Sequence, residues 1–407
     1  MTSLFDAVEM APRDPILGVT EQFNADTRPD KVNLGVGVYV DEGGKIPLLE
    51  CVRAGEAMLA EAPKPRGYLP IDGIAAYDKA VRELVFGAGS RPVREGTVAT
   101  VQALGGTGGL TIGADLLRRL LPDALVLISD PSWENHRALF ERAGFRVGTY
   151  AYYDPTQQAA DVDAMLRDLE AAAPGTIVVL HACCHNPTGC DLAPAEWSRV
   201  IATVAERRLV PFLDLAYQGF GDGTAEDRAV IDGFVDAGLD VFVSSSFSKS
   251  FSLYGERVGA LSVATRSADQ AARVLSQLKR VIRANYSSPP THGGAVVAHV
   301  LQTPDLRALW ERELGAMRQR IQAMRAALGR GLAEAGAPID PGFVTRQRGM
   351  FSYSGLSKAQ MQALRDEHGV YGLDTGRICV AALNDGNLAR VVEAITAVSG
   401  GARGSAR

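Results

Sequence analysis

Asp240-Val241-Phe242-Val243-Ser244-Ser245-Ser246-Phe247-Ser248-Lys249-Ser250 begins as an apolar run and ends as a row of hydroxyls with one lysine among them. Its first half has the β-branched and aromatic composition of a buried strand, and its second half abandons that composition abruptly. Five similar runs accompany it: Val98–Leu104, Ala124–Ser129, Thr176–Leu180, Leu209–Leu213 and Val258–Val263. Longer amphipathic stretches with helical spacing alternate with these runs. Near-continuous apolar strands separated by helices imply a mostly parallel sheet covered on both faces, an α/β fold. Sheets of this kind bind ligands beyond the carboxyl ends of their strands. The residues that follow each run are therefore the candidates for chemistry.

Val98–Leu104 leads into Gly105-Gly106-Thr107-Gly108-Gly109, where backbone N–H groups at a helix start could approach a phosphate. A plain tight turn has the same composition. A nicotinamide-binding reading gains some support from Asp130 at the end of the next run, but Thr111 stands where the fingerprint needs its third glycine. There is no Gly-Lys-Ser/Thr phosphate loop and no Gly-x-Ser-x-Gly elbow. The second run leads into Asp130-Pro131-Ser132-Trp133-Glu134-Asn135-His136, in which Trp133 would also suit a core. The third leads into His185-Asn186-Pro187-Thr188-Gly189, a turn that aims Asn186 at the strand-end crevice. The fourth ends on Asp214, a carboxylate costly to bury without a cationic partner. The fifth ends on Lys249, with Arg257 further on. A lysine amine condenses with a carbonyl cofactor, and an aspartate pairs with a protonated pyridine nitrogen. Gly, Ser, Thr and Arg hold a phosphate, and an aromatic face stacks on a ring. Together these parts fit that chemistry better than any other.

A chain of 407 residues suits two domains, and 46% hydrophobic with 22% charged residues is ordinary for a globular protein. The net charge of −5, with both signs interspersed, lacks the basic footprint of a nucleic-acid binder. Asp6 and Glu9 interrupt the N-terminus, so neither a secretory signal nor a membrane span is expected, and the cytoplasm is the default. The cysteines Cys51, Cys183, Cys184, Cys190 and Cys379 are an odd, sparse set, which argues against a disulfide framework. Cys183-Cys184-His185 with Cys190 invites a zinc reading, but no second pair has ligand spacing, and no metal is expected. From about Leu306 the pattern is helical, with Leu314, Met317, Ile321, Met324 and Leu328 on one face. Beyond Pro341 come a strand at Phe351–Tyr353, a helix near Ala359–Glu367 and a strand at Arg377–Leu383. These form a second, smaller α/β unit, and Gly400–Arg407 reads as a flexible tail.

Six motifs carry a resemblance: Asn33-Leu34-Gly35-Val36-Gly37-Val38-Tyr39, His185 to Gly189, Asp214 to Phe220, Ser246 to Lys249, Tyr254 to Gly259, and Arg283 to Pro290. From about Asp14 to Val398 the chain resembles the class I aminotransferases of fold type I, in the aspartate and aromatic amino-acid branch and closer to its aromatic members. The resemblance implies a large domain at 45–316 with a seven-stranded sheet, a small domain at 15–44 and 317–399, an N-terminal arm at 1–14 and a tail at 400–407. It implies pyridoxal 5'-phosphate as cofactor and a homodimer with shared active sites. Lys249 would bind the cofactor covalently and then carry the substrate proton, and Asp214 would pair with the ring nitrogen. Tyr217 and Asn186 would bond the phenolic oxygen, and Trp133 would stack on the ring. Gly106, Thr107, Ser246, Ser248 and Arg257 would hold the phosphate, with Tyr68 reaching in from the other subunit. Arg377 would fork onto the substrate α-carboxylate, a geometry lysine cannot reproduce. Arg283 of the other subunit would meet a side-chain carboxylate, and Gly37 would let the small domain close.

The implied reaction moves the amino group of tyrosine, phenylalanine and L-aspartate to 2-oxoglutarate in a ping-pong exchange. Ser288 replaces the Asn usual in aspartate-specific members, and Thr375 replaces Ser, so a strict aspartate aminotransferase is the alternative. A β-lyase or decarboxylase would share the lysine but would not need Arg283. A cofactor-free dimer would be marked by a replaced lysine, whereas Lys249 is present. A nucleotide-binding dehydrogenase would leave Lys249, Asp214 and Asn186 unexplained.

Overall fold

A computed structural model describes residues 3–11, 14, 17–63, 65 and 67–400. The expected tail lies outside the described residues from position 401, as do positions 1, 2, 12 and 13 of the expected arm. The central sheet has seven strands: β1 (Val98–Leu104), β2 (Leu125–Asp130), β3 (Arg146–Ala151), β4 (Ile177–His181), β5 (Val210–Leu215), β6 (Val241–Ser246) and β7 (Val258–Ala264). Their order is β1-β7-β6-β5-β4-β2-β3. Only β7 runs against its neighbours, so the sheet is mostly parallel, as the apolar runs imply.

Alternate residues along each strand enter two different cores. Ile177 and Val179 join Val126, Ile128 and Phe212 on one face, while Val178 and Leu180 join Leu127, Leu213 and Val243 on the other. Both faces are apolar because both are covered by helices, and this erases the polar alternation of a one-sided sheet. β3 was not among the expected runs. It pairs only with β2, at the sheet edge, and its side chains are mostly half-buried or exposed. A strand wetted on one edge needs no continuous apolar run.

Helix α1 (Gly105–Leu120) leaves β1 directly, and its glycines let it lie close on the sheet. A Cβ on Gly113 would come 2.5 Å from the Phe212 ring. After β7 come α2 (Ala268–Asn285) and the 31-residue α3 (Pro304–Glu334). Leu314, Met317, Ile321, Met324 and Leu328 form the buried face of α3, as their spacing predicts. The flanks of that face carry half-buried arginines that reach neighbouring carbonyls. Arg318 donates to Gly219 O at 2.8 Å, and Arg320 donates to Val40 O at 2.9 Å and Leu383 O at 2.7 Å.

Three two-stranded sheets accompany the central one, one of them the short hairpin Tyr153–Asp154 with Ala159–Ala160. Val32–Asn33 pairs in parallel with Val370–Tyr371, and Phe351–Tyr353 pairs antiparallel with Arg377–Cys379. The expected strand Arg377–Leu383 therefore stops at Cys379 and continues as a 3-10 turn over Val380–Ala382. Its partner is only three residues long, so nothing remains for the later residues to pair with. The pairing of residues 32–33 with 370–371 favours one small unit made of 15–44 and 317–399, which we propose as the domain division. α3 passes through residue 317 unbroken, so the two units share a helix. Among the described residues, no helix is long and apolar enough to cross a membrane.

Gly259 of β7 marks the tightest backbone approach near the strand ends: a Cβ there would lie 2.3 Å from the Gly105 carbonyl carbon and 2.7 Å from Ser245 O. Neither contact is a flexible side chain. Gly259→Ala should cost about 3 kcal/mol of stability by overpacking. An unchanged denaturant midpoint would show that the Gly105 turn gives way freely.

Candidate active site

Beyond the carboxyl ends of β1, β2, β4, β5 and β6 lies a cavity of about 460 Å³, its open mouth included. That size suits a small ligand with one ring and a charged arm. Lys249 enters it three residues past β6, its Nζ 5.2 Å from the centre of the Tyr217 ring. Burial pulls the amine down to about 8; Asp214 opposes this, while Arg257 and Arg377 reinforce it.

Asp214 lies near the end of β5, buried, with Oδ2 2.9 Å from His136 Nε2. Burial alone would push this carboxyl up. The His136 hydrogen bond, aided by the nearby Lys249, outweighs it and holds Asp214 below the usual carboxylate range. His136 is itself oriented by Ser132, whose Oγ lies 2.9 Å from Nδ1. His181 ends β4 in register with Asp214, and both of its buried ring nitrogens lack a hydrogen-bond partner. Burial, with His185 and His136 nearby, pushes His181 well below the ordinary imidazole range, so it is neutral. Sequence reasoning assigned neither histidine a role. The available signals were the Ser132–His136 spacing of one helical turn and the place of His181 at a strand end.

The opposite wall is a polar cradle. Gly106 and Thr107 open α1, where unpaired backbone N–H groups face the cavity end. Gly105 has φ +69°, and a Cβ there would meet Arg257 Nη2 at 2.5 Å. Ser246 and Ser248 complete the cradle with Arg257, which donates to Ser248 Oγ at 3.3 Å and Tyr254 O at 3.1 Å. Among the described residues no carboxylate pairs with Arg257. Helix amides, hydroxyls and an unpaired guanidinium suit a phosphate. At the other end, the Lys249 amine suits a carbonyl and the Asp214 carboxylate suits a protonated ring nitrogen. The residues present thus fit pyridoxal phosphate. Trp133, Asn186 and Tyr217 line the walls between. Every residue expected to touch the cofactor lines this one cavity except Tyr68, which is 98% exposed and stands away from it.

Three further expected residues lie elsewhere. Arg377 is 1% exposed and borders the site through Asn186, donating Nη1–H to its Oδ1 at 3.0 Å and Nη2–H to Gly35 O at 2.8 Å. Its Nε is buried and unpartnered, and among the described residues no carboxylate pairs with it. Gly37 packs on Phe351, where a Cβ would come 2.7 Å from the ring. Arg283, near the end of α2, is exposed and donates to Ser287 Oγ, outside the cavity of its own chain. Phe351 went unassigned in the sequence, yet its ring centre lies 4.3 Å from Arg377 Cζ and 5.8 Å from that of Tyr217. Cys183, Cys184, Cys190 and His185 form no ligand set among the described residues.

Residues 29–395 match the family described as aminotransferase class I and II. The chain is similar to the aspartate aminotransferase of Pseudomonas aeruginosa, 62% identical over 97% of this chain and all of that one. It is 48% identical, over 97% of this chain and all of the other, to the aromatic-amino-acid aminotransferase of Escherichia coli strain K12. A crystal structure of an aromatic-amino-acid aminotransferase from Burkholderia pseudomallei, covalently bound to pyridoxal phosphate, matches with TM-score 0.96 and 64% identity. That match spans 98% of this chain and all of that one. The chain belongs to the class I and II aminotransferases. It is an aminotransferase that uses pyridoxal phosphate and acts on amino acids and 2-oxo acids.

The Lys249 environment has a direct consequence for pH. Only the free amine attacks a carbonyl, so an amine lowered from 10.5 to about 8 is half available near pH 8. Capture of pyridoxal phosphate by the cofactor-free protein, followed by absorbance, should speed up as pH rises through about 8 and level off above it. A midpoint near that of an ordinary lysine would refute this assignment.

Proposed function

We propose that this chain transfers the amino group of tyrosine, phenylalanine and L-aspartate to 2-oxoglutarate, as a cytoplasmic homodimer with shared active sites. The observation that carries the substrate reading is Arg377, a buried guanidinium left without a carboxylate beside the Lys249 cavity. Leaving such a charge unpaired is costly, and an α-carboxylate relieves it with a bidentate contact. The cofactor, when bound, supplies a carbonyl for the amino group and a ring that accepts electrons. Lys249 then accepts the proton from the substrate α-carbon and returns it, its lowered pKa making the free amine available at lower pH than for an ordinary lysine. Asp214, held charged by His136, would keep a proton on the cofactor's ring nitrogen. Asn186 and Tyr217 would orient its phenolic side, and Gly106, Thr107, Ser246, Ser248 and Arg257 would hold its phosphate.

The dimer reading rests on Tyr68 and Arg283, both exposed and both away from the cavity of their own chain. They have a use if each completes a neighbour's site across a two-fold axis. The dual substrate range rests on Arg283 as well. A dicarboxylate needs a second cation, whereas an aromatic ring must tolerate or displace it. Ser287 offers Arg283 a neutral partner when no carboxylate is present, so the pocket need not bury a bare charge against a ring. The five free cysteines accord with a reducing compartment.

Two experiments test this reading. Arg283→Leu should lower kcat/KM for aspartate by roughly 30-fold or more, for about 2 kcal/mol of lost charge-assisted contact, and barely affect phenylalanine. Equal losses on both substrates would make Arg283 a structural residue. Mixing inactive Lys249→Ala chains with Arg283→Leu chains should restore roughly a quarter of the parental rate on aspartate, because random exchange makes half the dimers mixed and each has one intact site. Full activity of a sedimenting monomer would exclude shared sites.

A further inference from the structure

Arg325, on the buried side of α3, is 4% exposed, and among the described residues no carboxylate pairs with it. Burial pulls its pKa down to about 10, so it remains a cation at neutral pH. A buried cation without a counter-charge is an expensive feature to keep, and its hydrogen bonds indicate what it holds. All of them go to one short stretch. Nη1 donates to Val344 O at 2.8 Å and Ser352 Oγ at 2.7 Å, and Nη2 donates to Gly349 O at 2.8 Å and to the Phe351 carbonyl. One guanidinium thus holds the backbone carbonyls of Val344, Gly349 and Phe351 itself, and the hydroxyl of the residue that follows.

The Phe351 ring is where that constraint meets the site. It is 2% exposed, stands 4.3 Å from Arg377 Cζ, meets the Tyr217 ring edge-on and rests against Gly37, where a Cβ would come within 2.7 Å of it. Among the described residues the Arg377 guanidinium makes two hydrogen bonds, to Asn186 and to Gly35 O. The aromatic face is therefore the third support that sets the direction of its fork.

We propose that Arg325 is a positioning residue for substrate binding: through the Phe351 backbone it holds the Phe351 ring on Arg377, and so aims the guanidinium that takes the α-carboxylate. The proposal rests on the reading of Arg377 as the α-carboxylate site. Arg325 touches neither substrate nor cofactor, and its effect passes through one aromatic ring. It differs from Arg283 in that every substrate carries an α-carboxylate, so tyrosine, aspartate and 2-oxoglutarate should all suffer alike.

Arg325→Met should raise KM for all three by about tenfold with kcat changed less than about threefold, the signature of lost binding common to ground and transition states. Phe351→Leu, which leaves the Arg325 hydrogen bonds in place, should raise KM to a similar extent. The double variant should be little worse than either single one, because both act on the same contact. The pH dependence of the cofactor absorption in the unliganded enzyme should not move. Where Arg325→Met does not fold, Arg325→Lys serves instead: it keeps the charge but cannot reach four acceptors, and should raise KM by a smaller factor. Additive effects of the two substitutions, a loss confined to one substrate, or a lowered melting temperature with KM unchanged would each overturn the proposal. Arg377→Lys separates the two readings. If it leaves KM unchanged, the α-carboxylate assignment itself fails; if it raises KM while the Arg325 and Phe351 variants do not, only the positioning role fails.

Discussion

A carboxylate survives in charged form at the end of an apolar strand because one imidazole stands 2.9 Å from it. The contact between His136 Nε2 and Asp214 Oδ2 offsets the penalty of burial, and much of the site's electrostatics follows from that. With Asp214 ionised, the cavity contains one fixed negative charge, and Lys249, Arg257 and Arg377 stand around or beside it. The lysine yields, its pKa lowered by burial and the two arginines. Burial lowers Arg377 as well, and among the described residues neither arginine has a carboxylate partner. A site so arranged has a deficit of negative charge, which in the proposed reading a phosphate at one end and an α-carboxylate at the other would meet.

The two ends are built differently. The cofactor end is assembled from strand ends of one sheet, which adjacent hydrogen-bonded strands hold rigidly. His181 lies directly opposite Asp214 in the β4–β5 register, and Gly259 lets β7 pass within contact of Gly105. The substrate end gathers Gly35, Asn186, Phe351 and Arg377 from segments far apart in the chain. It is held by two small sheets and by the arginines of α3, which donate mainly to backbone carbonyls. Carbonyl partners suit this task, since their geometry fixes the backbone without demanding a buried carboxylate.

Some of this architecture was legible in the chain and some was not. Six of the seven sheet strands announced themselves as apolar runs because both faces of those strands are covered. β3 did not, since an edge strand need not be apolar throughout. The stretch after Arg377 looked like a longer strand, but strand length depends on the partner, and Phe351–Tyr353 offers only three residues. His136 sat in a motif whose role could not be guessed, because its partner Asp214 lies 78 residues away. Phe351 was legible only as the start of a short strand, and only the folded chain reveals that an arginine covers its face.

The sequence by itself determined the doubly covered sheet, the cofactor cradle and the residues that line it, because each is a local signature: a strand and the few residues that leave it. Only the tertiary structure decided the ionisation of Asp214 and Lys249, the burial of Arg377 with no carboxylate paired to it among the described residues, and the outward placement of Tyr68 and Arg283. Those properties depend on distance and burial among residues remote in the chain, and electrostatics in a low-dielectric cavity responds to that arrangement and not to sequence order.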